Sequence, residues 1–363
     1  MRGLADVPVS AAASLGVPGF ADTLGLGDAQ HAVIVLIDGL GWNSLREHRH
    51  LAPCLTSADH EATEISTVFP STTPAGLGTL GTGLLPGAHG LVGASFWLPE
   101  AEEILTPLHW NDGVTAVAVQ PEPTVFETAT RHGVEVTTVA PGKYSGSGLT
   151  RAVLRGGTYE AADSLAARVA GTRRLTRKAS RTLTYVYWPD LDRTGHARGV
   201  GSRAWKSDLQ EVDRLVTQIA DALPSGAVAI VTADHGMVNC DERISIDDDP
   251  LLSSGVLRIA GEPRMRHVYV REGSAPEVEA AWRLRLAGKV DIRSREELID
   301  SGLLGEVEFD FTDRIGDFVA ISRGTTLLGS SFDPRVSELV GQHGALTDDE
   351  MRIPAIVIRG SGI

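Results

Sequence analysis

The chain has 363 residues, 42% of them hydrophobic, enough for one large α/β domain with an insertion or for two domains. Its formal net charge of −14 argues against a surface that coats nucleic acid, although two bound divalent ions would reverse the sign locally and admit a small anionic ligand. No apolar run approaches the roughly 20 residues of a membrane helix, Asp6 and Pro8 interrupt any export signal, and Cys54 and Cys240 are too few for a disulfide framework, so the expected setting is the cytoplasm, away from membranes.

In chain order, residues 1–30 are rich in Ala, Gly and Pro and are expected to drape over the core. The run from Ala32 to Ile37 is of the kind buried on both faces of a sheet, and it ends in Asp38-Gly39. A helix is expected near 42–48. A short β-like run from Ala62 leads to Pro70-Ser71-Thr72-Thr73-Pro74, and small residues follow to Gly83, so a turn and helix are expected over 70–82. A hydroxyl on the first turn of a helix meets free backbone N–H groups and the positive dipole end, which together make an anion site. Simple N-capping by Ser71, Thr72 or Thr73 is the plainer reading. A strand near 114–119, a helix near 124–132 and a strand over Val134–Val139 come next. The basic run Arg173, Arg174, Arg177, Lys178 and Arg181 reads as a solvated loop or as a rim that steers phosphate.

A second buried-strand run, Leu183 to Trp188, ends in Asp190-Leu191-Asp192-Arg193-Thr194-Gly195-His196. Trp205, Leu209, Val212, Val216 and Ile219 recur at spacings of four and three, which gives an amphipathic helix covering the sheet. The third run, Ala227 to Val231, leads into Asp234-His235-Gly236. Residues 244–330 carry none of these motifs. They hold an expected strand His267–Val270, a helix from Pro276 to about Ala287 and a strand Asp317–Ser322, and read as an inserted α+β, cap-like subdomain, leaving 1–243 and 331–363 as the core. Arg264, Arg266 and His267 either face substrate from that insert or belong to a plain edge strand; Asp247 to Asp249, before Pro250, reads as a solvated turn. His343 closes the series in Gly341-Gln342-His343-Gly344. Strands alternating with such helices predict an α/β fold with a mostly parallel central sheet and helices on both faces.

Open α/β sheets hold their chemistry at the C-terminal ends of the strands. Asp38, Asp192, His196, Asp234, His235 and His343 mix carboxylate and imidazole, which suits zinc, manganese or iron better than magnesium or calcium. Six such ligands are too many for one catalytic zinc and suit two ions with open positions. Each residue also has a bland reading: Asp38 as a helix N-cap, Asp192 with His196 as a helix-surface pair, His343 as a structural histidine. A hydroxyl next to a metal ion becomes a competent nucleophile at neutral pH.

With these motifs in this order, the chain from Asp38 to His343 resembles the alkaline phosphatase superfamily, and within it the nucleotide pyrophosphatase/phosphodiesterase branch. In that branch the last Thr of a Pro-Thr-x-Thr segment is the nucleophile, which the resemblance places on Thr73 in Pro70-Ser71-Thr72-Thr73. It implies two divalent ions, zinc or manganese. One is held by Asp38, Asp234 and His235 and activates Thr73; the other is held by Asp192, His196 and His343. His89, in Leu85-Pro86-Gly87-Ala88-His89-Gly90, matches a motif position that is not a ligand and reads as structural. Family diesterases carry an Asn soon after this His-Gly; Ala94 stands there, which leaves phosphoryl support to the ions, the Thr73 backbone N–H and residues such as Ser95.

The stretches Leu108–Gly113 and Gln120–Glu127 resemble an actinobacterial subgroup that includes cyclic di-AMP phosphodiesterases. The implied function is a two-metal phosphodiesterase or nucleotide pyrophosphatase whose substrate is a nucleotide phosphodiester, a cyclic dinucleotide such as cyclic di-AMP among them. The alternatives are a phosphomonoesterase or phosphonate hydrolase with the same metals and, in another class, a non-catalytic nucleotide-binding protein. The absence of an assigned phosphate-clamping Arg counts against the monoesterase, and the intact ligand set counts against the binding protein. Cys54 lacks the Cys-x-Pro-x-Arg context of a sulfatase. Trp97, Trp110, Tyr144, Tyr187 and Trp188 are either base-stacking platforms or packing residues.

Overall fold

Seven strands build one sheet and four build a second in the computed structural model, which describes residues 2–111 and 113–362. Asp112, within the Leu108–Gly113 stretch, lies outside the described residues. In chain order the strands are β1 (His31–Ile37), β2 (Glu61–Ser66), β3 (Glu135–Ala140), β4 (Thr158–Ala161), β5 (Thr182–Trp188), β6 (Ala227–Thr232), β7 (Val256–Glu262), β8 (Met265–Val270), β9 (Val290–Ser294), β10 (Phe318–Ser322) and β11 (Arg352–Arg359).

The large sheet has the order β2-β11-β6-β1-β5-β3-β4. β6, β1, β5, β3 and β4 run parallel, while β11 lies antiparallel between β6 and β2. Every residue of β1, β5 and β6 is buried, which is why these strands are mostly apolar and carry no charged side chain among Asp, Glu, Lys and Arg, although β5 includes the buried Thr182 and Thr184. Helices pack around this sheet. α1 (Asp6–Ser14) buries Val7, Ala11 and Ala12, so the N-terminal segment is partly helical where drape was expected. α2 (Thr73–Thr82) and α3 (Asp190–Arg198) begin beside the strand ends. α4 (Arg203–Ala222) buries Trp205, Leu209, Val212, Val216 and Ile219, the predicted stripe.

Residues 114–119 are not a strand. A one-turn helix, Ala116–Val119, buries Ala116 and Val119 and leaves Val117 56% exposed. Alternating apolar letters mimic a strand, but burial at a spacing of three is what a helix turn delivers.

The small sheet is antiparallel throughout, with the order β7-β8-β10-β9. α5 (Ala275–Arg285) lays Trp282 on it, against Val268, Phe318 and Ala320. β8 is therefore an interior strand, which overturns both expectations for the polar residues in it and just before it. Arg264, Arg266 and His267 are fully buried and face neither substrate nor an open edge. Arg264 pairs with Glu350, Arg266 with Asp333, and His267 donates to the Val92 carbonyl at 3.0 Å. A buried guanidinium is tolerable only with such a partner.

The basic run stays largely at the surface, with Arg173, Arg174 and Arg177 exposed, although Arg173 and Arg174 lie on the last turn of a helix, Leu165–Leu175, and not in a loop. Arg174 pairs with Glu160 and Lys178 with Glu135, while Arg181 donates to the Leu15 and His132 carbonyls. Asp249 caps the short helix Pro250–Ser253 and pairs with Arg285. Both cysteines are free, and no helix among the described residues is long and apolar enough to cross a membrane.

Candidate metal centre and nucleophile

β6, β1 and β5 are adjacent, so the segments that leave their C-terminal ends meet side by side. β1 delivers Asp38, α3 delivers Asp192 and His196, and the segment after β6 delivers Asp234 and His235. His343 comes from the segment ahead of β11, and Thr73 is the first residue of α2. Gly39 has φ +73°, and a β-carbon there would meet Asp192 Cβ and Oδ1 at 3.0 Å, so a glycine after Asp38 lets Asp192 come close.

The inner part of the centre is Asp38, Asp234, His235 and Thr73. Tyr187 donates its hydroxyl hydrogen to Asp38 Oδ2, and the Gly39 and His235 N–H groups donate to Asp234 Oδ1 at 3.3 and 3.1 Å. Asp38 Oδ1 and Asp234 Oδ2 are left with no hydrogen-bond partner among the described residues, and each lies 3.5 Å from His235 Nε2. Thr73 Oγ1 is 3.2 Å from the same nitrogen. His235 Nδ1 meets the Gly236 carbonyl at 2.9 Å, which fixes the proton there and leaves Nε2 as a lone pair.

The outer part is Asp192, His196 and His343. His196 Nδ1 donates to Gly341 O at 2.7 Å and His343 Nδ1 to Ser71 O at 2.9 Å. Both Nε2 atoms therefore carry lone pairs, and they face each other at 3.1 Å. Two lone pairs at that separation repel, and a shared cation removes the conflict. Asp192 Oδ2 is 3.4 Å from His196 Nε2, while Asp192 Oδ1 is 3.9 Å from His343 Nε2 and has no hydrogen-bond partner among the described residues.

Ligand atoms of Asp192, His196 and His343 all lie within 4.8 Å of one another, and so do those of Asp38, Asp192 and His235. Asp192 thus stands between the two halves, a position the motif spacing did not reveal. Burial, then the charges of Asp234 and Asp192, push the Asp38 carboxyl well above its ordinary range. Burial also raises Asp234. Burial and the neighbouring His235 and His196 hold the His343 imidazole well below the usual histidine value. Crowded carboxylates and proton-free imidazole nitrogens are the chemistry of a cation site, so these residues fit divalent metal ions.

Each hydroxyl of the Ser71-Thr72-Thr73 turn has its own task. Ser71 Oγ donates to Ala345 O at 2.8 Å and accepts from Gly344 N at 3.0 Å, which ties the turn to the His343 segment. Thr72 is the N-cap residue of α2 but makes no side-chain capping bond, so the plain capping reading does not describe this turn. Only Thr73 of the three reaches the ligand cluster. His89 is spent elsewhere: its Nδ1 accepts from Leu91 N at 3.2 Å and its Nε2 meets Thr79 Oγ1 at 3.1 Å. Ser95 Oγ donates to Gly261 O at 3.0 Å and accepts from Gly261 N at 2.9 Å, so it is not turned to the centre.

Beside Thr73 opens a cavity of about 210 Å³ walled by Leu77, Leu149, Tyr144, Tyr159, Tyr185 and Tyr187, with Lys143 on its lining. Tyr144 meets Tyr187 edge-on at 5.7 Å, and the buried Tyr185 hydroxyl has no hydrogen-bond partner among the described residues. The tryptophans lie elsewhere: Arg258 covers Trp97, Arg168 covers Trp188, and Trp110 donates to Val114 O. Sequence reasoning missed the Tyr187–Asp38 bond and two buried glutamates, Glu262 and Glu350. Tyr187 carried a weak signal, five residues before Asp192; the glutamates carried none.

The sequence pattern of the family described as type I phosphodiesterase / nucleotide pyrophosphatase matches residues 32–346. Human ectonucleotide pyrophosphatase/phosphodiesterase family member 5 is 23% identical over 342 residues, covering 87% of this chain. The chain spans 66% of that relative's own length. The murine member 5 structure is similar at a TM-score of 0.73 with 20% identity, over 90% of this chain and 87% of that one. The same murine protein, as an inactive variant in complex with AMP, gives the same values. Phosphonoacetate hydrolase from Sinorhizobium meliloti 1021, in complex with phosphonoformate, is similar at a TM-score of 0.70 with 21% identity, over 91% of this chain and 90% of that one. At these identities the structural likeness is one of fold.

Proposed function

The chain belongs to the type I phosphodiesterase/nucleotide pyrophosphatase family, one of metal-dependent phosphoric ester hydrolases, and on that premise we propose that it hydrolyses a nucleotide phosphodiester or pyrophosphate bond with Thr73 as the nucleophile. The observation that carries this reading is the convergence of Thr73 Oγ1, His235 Nε2 and the two unpartnered carboxylate oxygens of Asp38 and Asp234. Asp38, Asp234 and His235, with Thr73, would hold one ion; Asp192, His196 and His343 would hold the other. Zinc or manganese suits this mixed carboxylate and imidazole set. When bound, such ions lower the pKa of a coordinated hydroxyl or water and offset charge on the phosphoryl oxygens.

The chain's own groups supply the rest. Thr73 Oγ gives up its proton to solvent and attacks phosphorus. The new Oγ–P bond forms as the P–O bond to the leaving group breaks, and the leaving oxygen takes a proton from solvent. Water then attacks phosphorus, the Oγ–P bond breaks, and the proton that this water loses returns to Thr73 Oγ. As the first residue of α2, Thr73 also offers a backbone N–H with no acceptor inside the helix, a donor available to a phosphoryl oxygen.

The tyrosine-walled cavity supports a nucleobase, whose flat faces suit such walls, and the AMP complex of the murine relative supports a nucleotide. A cyclic dinucleotide such as cyclic di-AMP is the substrate we favour, on the resemblance of Leu108–Gly113 and Gln120–Glu127. We assign 1–243 and 331–363 to the catalytic core and 244–330 to an inserted subdomain, which the separate apolar cluster around Trp282 supports. A cytoplasmic setting accords with two free cysteines.

The likeness to phosphonoacetate hydrolase keeps a phosphonate or monoester reading in view, because Ala94 stands where the diesterases carry Asn. Metal-loaded protein assayed on an aryl phosphodiester and the matching monoester separates the readings. We expect diester preference, lost by about a thousandfold or more in Thr73→Ala. Monoester preference would overturn the diesterase reading, and turnover untouched in Thr73→Ala would remove the nucleophile.

A further inference from the structure

Glu262 ends β7, at the tip of the hairpin that the small sheet directs at the ligand cluster, and it is buried. One of its carboxylate oxygens lies 3.5 Å from His343 Nδ1, whose proton goes to Ser71 O at 2.9 Å, so this contact is electrostatic and not a hydrogen bond. The other has no hydrogen-bond partner among the described residues. The hydroxyl of Thr72, the residue before the nucleophile, faces the same carboxylate. A β-carbon on Gly344 would come within 2.5 Å of Glu262 Oε1, so the backbone that follows His343 is pressed against this side chain. The φ of +125° at Gly344 is one that glycine adopts freely, which permits the approach.

The hairpin tip is itself held firmly. Gly261, one residue earlier, exchanges two hydrogen bonds with Ser95, and Arg264, two residues later, donates to both oxygens of Glu350 at 3.0 and 2.8 Å. Glu350 in turn accepts from the Ala345 N–H at 3.0 Å, in the same segment as His343. Glu262 is therefore fixed by backbone on both sides. A buried carboxylate with an unpartnered oxygen is costly unless positive charge lies near. Arg266 supplies part of that charge and an ion in the ligand cluster would supply more, while a carboxylate close behind a ligating imidazole backs the ring and strengthens it as a donor.

We propose that Glu262 is a positioning residue of the centre: it holds His343 and the Thr72-Thr73 turn in place and adds outer negative charge to the ion that His343 would hold. The inserted sheet then completes the metal site instead of only covering it. This rests on the metal-ligand reading given above.

The test is calorimetric titration of Mn²⁺ into metal-free full-length protein. Wild type is expected to bind two ions. Glu262→Gln keeps the shape and an acceptor for Thr72 while removing the charge; one ion should bind roughly 10- to 100-fold more weakly, with the other within about twofold of wild type. The melting temperature of the metal-free variant should not fall, which a merely structural role would require. Glu262→Asp keeps the charge and should recover part of the loss. Wild-type affinity at both sites in both variants overturns the inference and leaves the two-ion reading standing. Fewer than two ions in wild type overturns both. If Glu262→Gln shows no cooperative melt, Glu262→Asp decides alone: a drop of about threefold or more supports the role, and unchanged affinity overturns it.

Discussion

The inner and outer halves of the candidate centre are built from the same residue types but differ in depth and in what holds them. The side chains of Asp38, Asp234 and His235 are 5%, 0% and 0% exposed, whereas those of Asp192, His196 and His343 are 14%, 20% and 7%. In the inner half the carboxylates take bonds from Tyr187 and from backbone N–H groups, and Thr73 is within 3.2 Å of the shared nitrogen. The outer half assembles from α3 and the distant His343 segment and opens towards solvent. An inner ion would be nearly sealed and tied to the nucleophile; an outer ion would exchange more readily and stand where water enters.

The sharpest way to break this distinction is to truncate one histidine from each half. His235→Ala removes the nitrogen on which the inner donors converge and leaves two unpartnered buried carboxylates; kcat/KM should fall by about a thousandfold or more and stay low in excess metal. His196→Ala should cost roughly 10- to 100-fold and regain most of it as Mn²⁺ is raised. Activity against metal concentration separates the two. Equal rescue, or none in either, would erase the difference in depth as a functional one.

How far the site was legible follows from the same contrast. Asp38, Asp234 and His235 stand just beyond runs whose every residue is buried, and such runs announce themselves without any partner. That Asp192 stands between both halves depends on how β5 and β1 sit side by side, which no local pattern carries. Arg264 and Glu350 lie 86 residues apart and find each other only in the fold, and nothing near Glu262 in sequence marks it as facing His343. The interior place of β8 was hidden for the opposite reason. Its charged letters read as an edge, and the carboxylates that make them tolerable come from Asp333 and Glu350, outside the sheet.

The buried histidines divide along the same line, and acid should tell them apart. The ligand-type histidines donate through Nδ1 and leave Nε2 open. His267 does the reverse, with Nε2 on Val92 O and Nδ1 accepting from Gly316 N at 3.3 Å. His89 likewise accepts at Nδ1, from Leu91 N. A second proton on either would point at a backbone N–H. Burial, the main cause, holds His89 down to about 3 and His267 down to about 4. Below about 6.5 the unfolded chain takes up protons that the folded chain refuses, so stability falls as the pH drops from 7 towards those values. At pH 5 the loss is about 2 kcal/mol for each. The raised carboxyls Asp38 and Asp234 work in the opposite direction in metal-free protein, so the comparison is with His267→Gln, in which their contribution is shared and cancels. Urea unfolding at pH 7 and pH 5 should show the fall reduced by about 2 kcal/mol in the variant. An identical fall would mean that His267 is protonated in the folded protein.

The smallest expected effect on catalysis concerns Ser95, which stands next to Ala94 and was a candidate to take over the phosphoryl contact of the family's Asn. Both of its hydrogen-bonding roles go to Gly261, so it serves the hairpin that carries Glu262 and not the phosphoryl group. Ser95→Ala removes both side-chain bonds to Gly261, but the Gly261 N–H keeps the Ser95 backbone carbonyl at 2.9 Å, so stability should fall by only about 0.5–1.5 kcal/mol. The diesterase kcat should stay within about threefold of wild type, because no group aimed at the reacting atoms is lost. A fall of about 100-fold in kcat at unchanged stability would instead make Ser95 an oxyanion donor. The open side of the centre would then own a side-chain contact to the phosphoryl group, and the burden now placed on the ions and the Thr73 N–H would be shared.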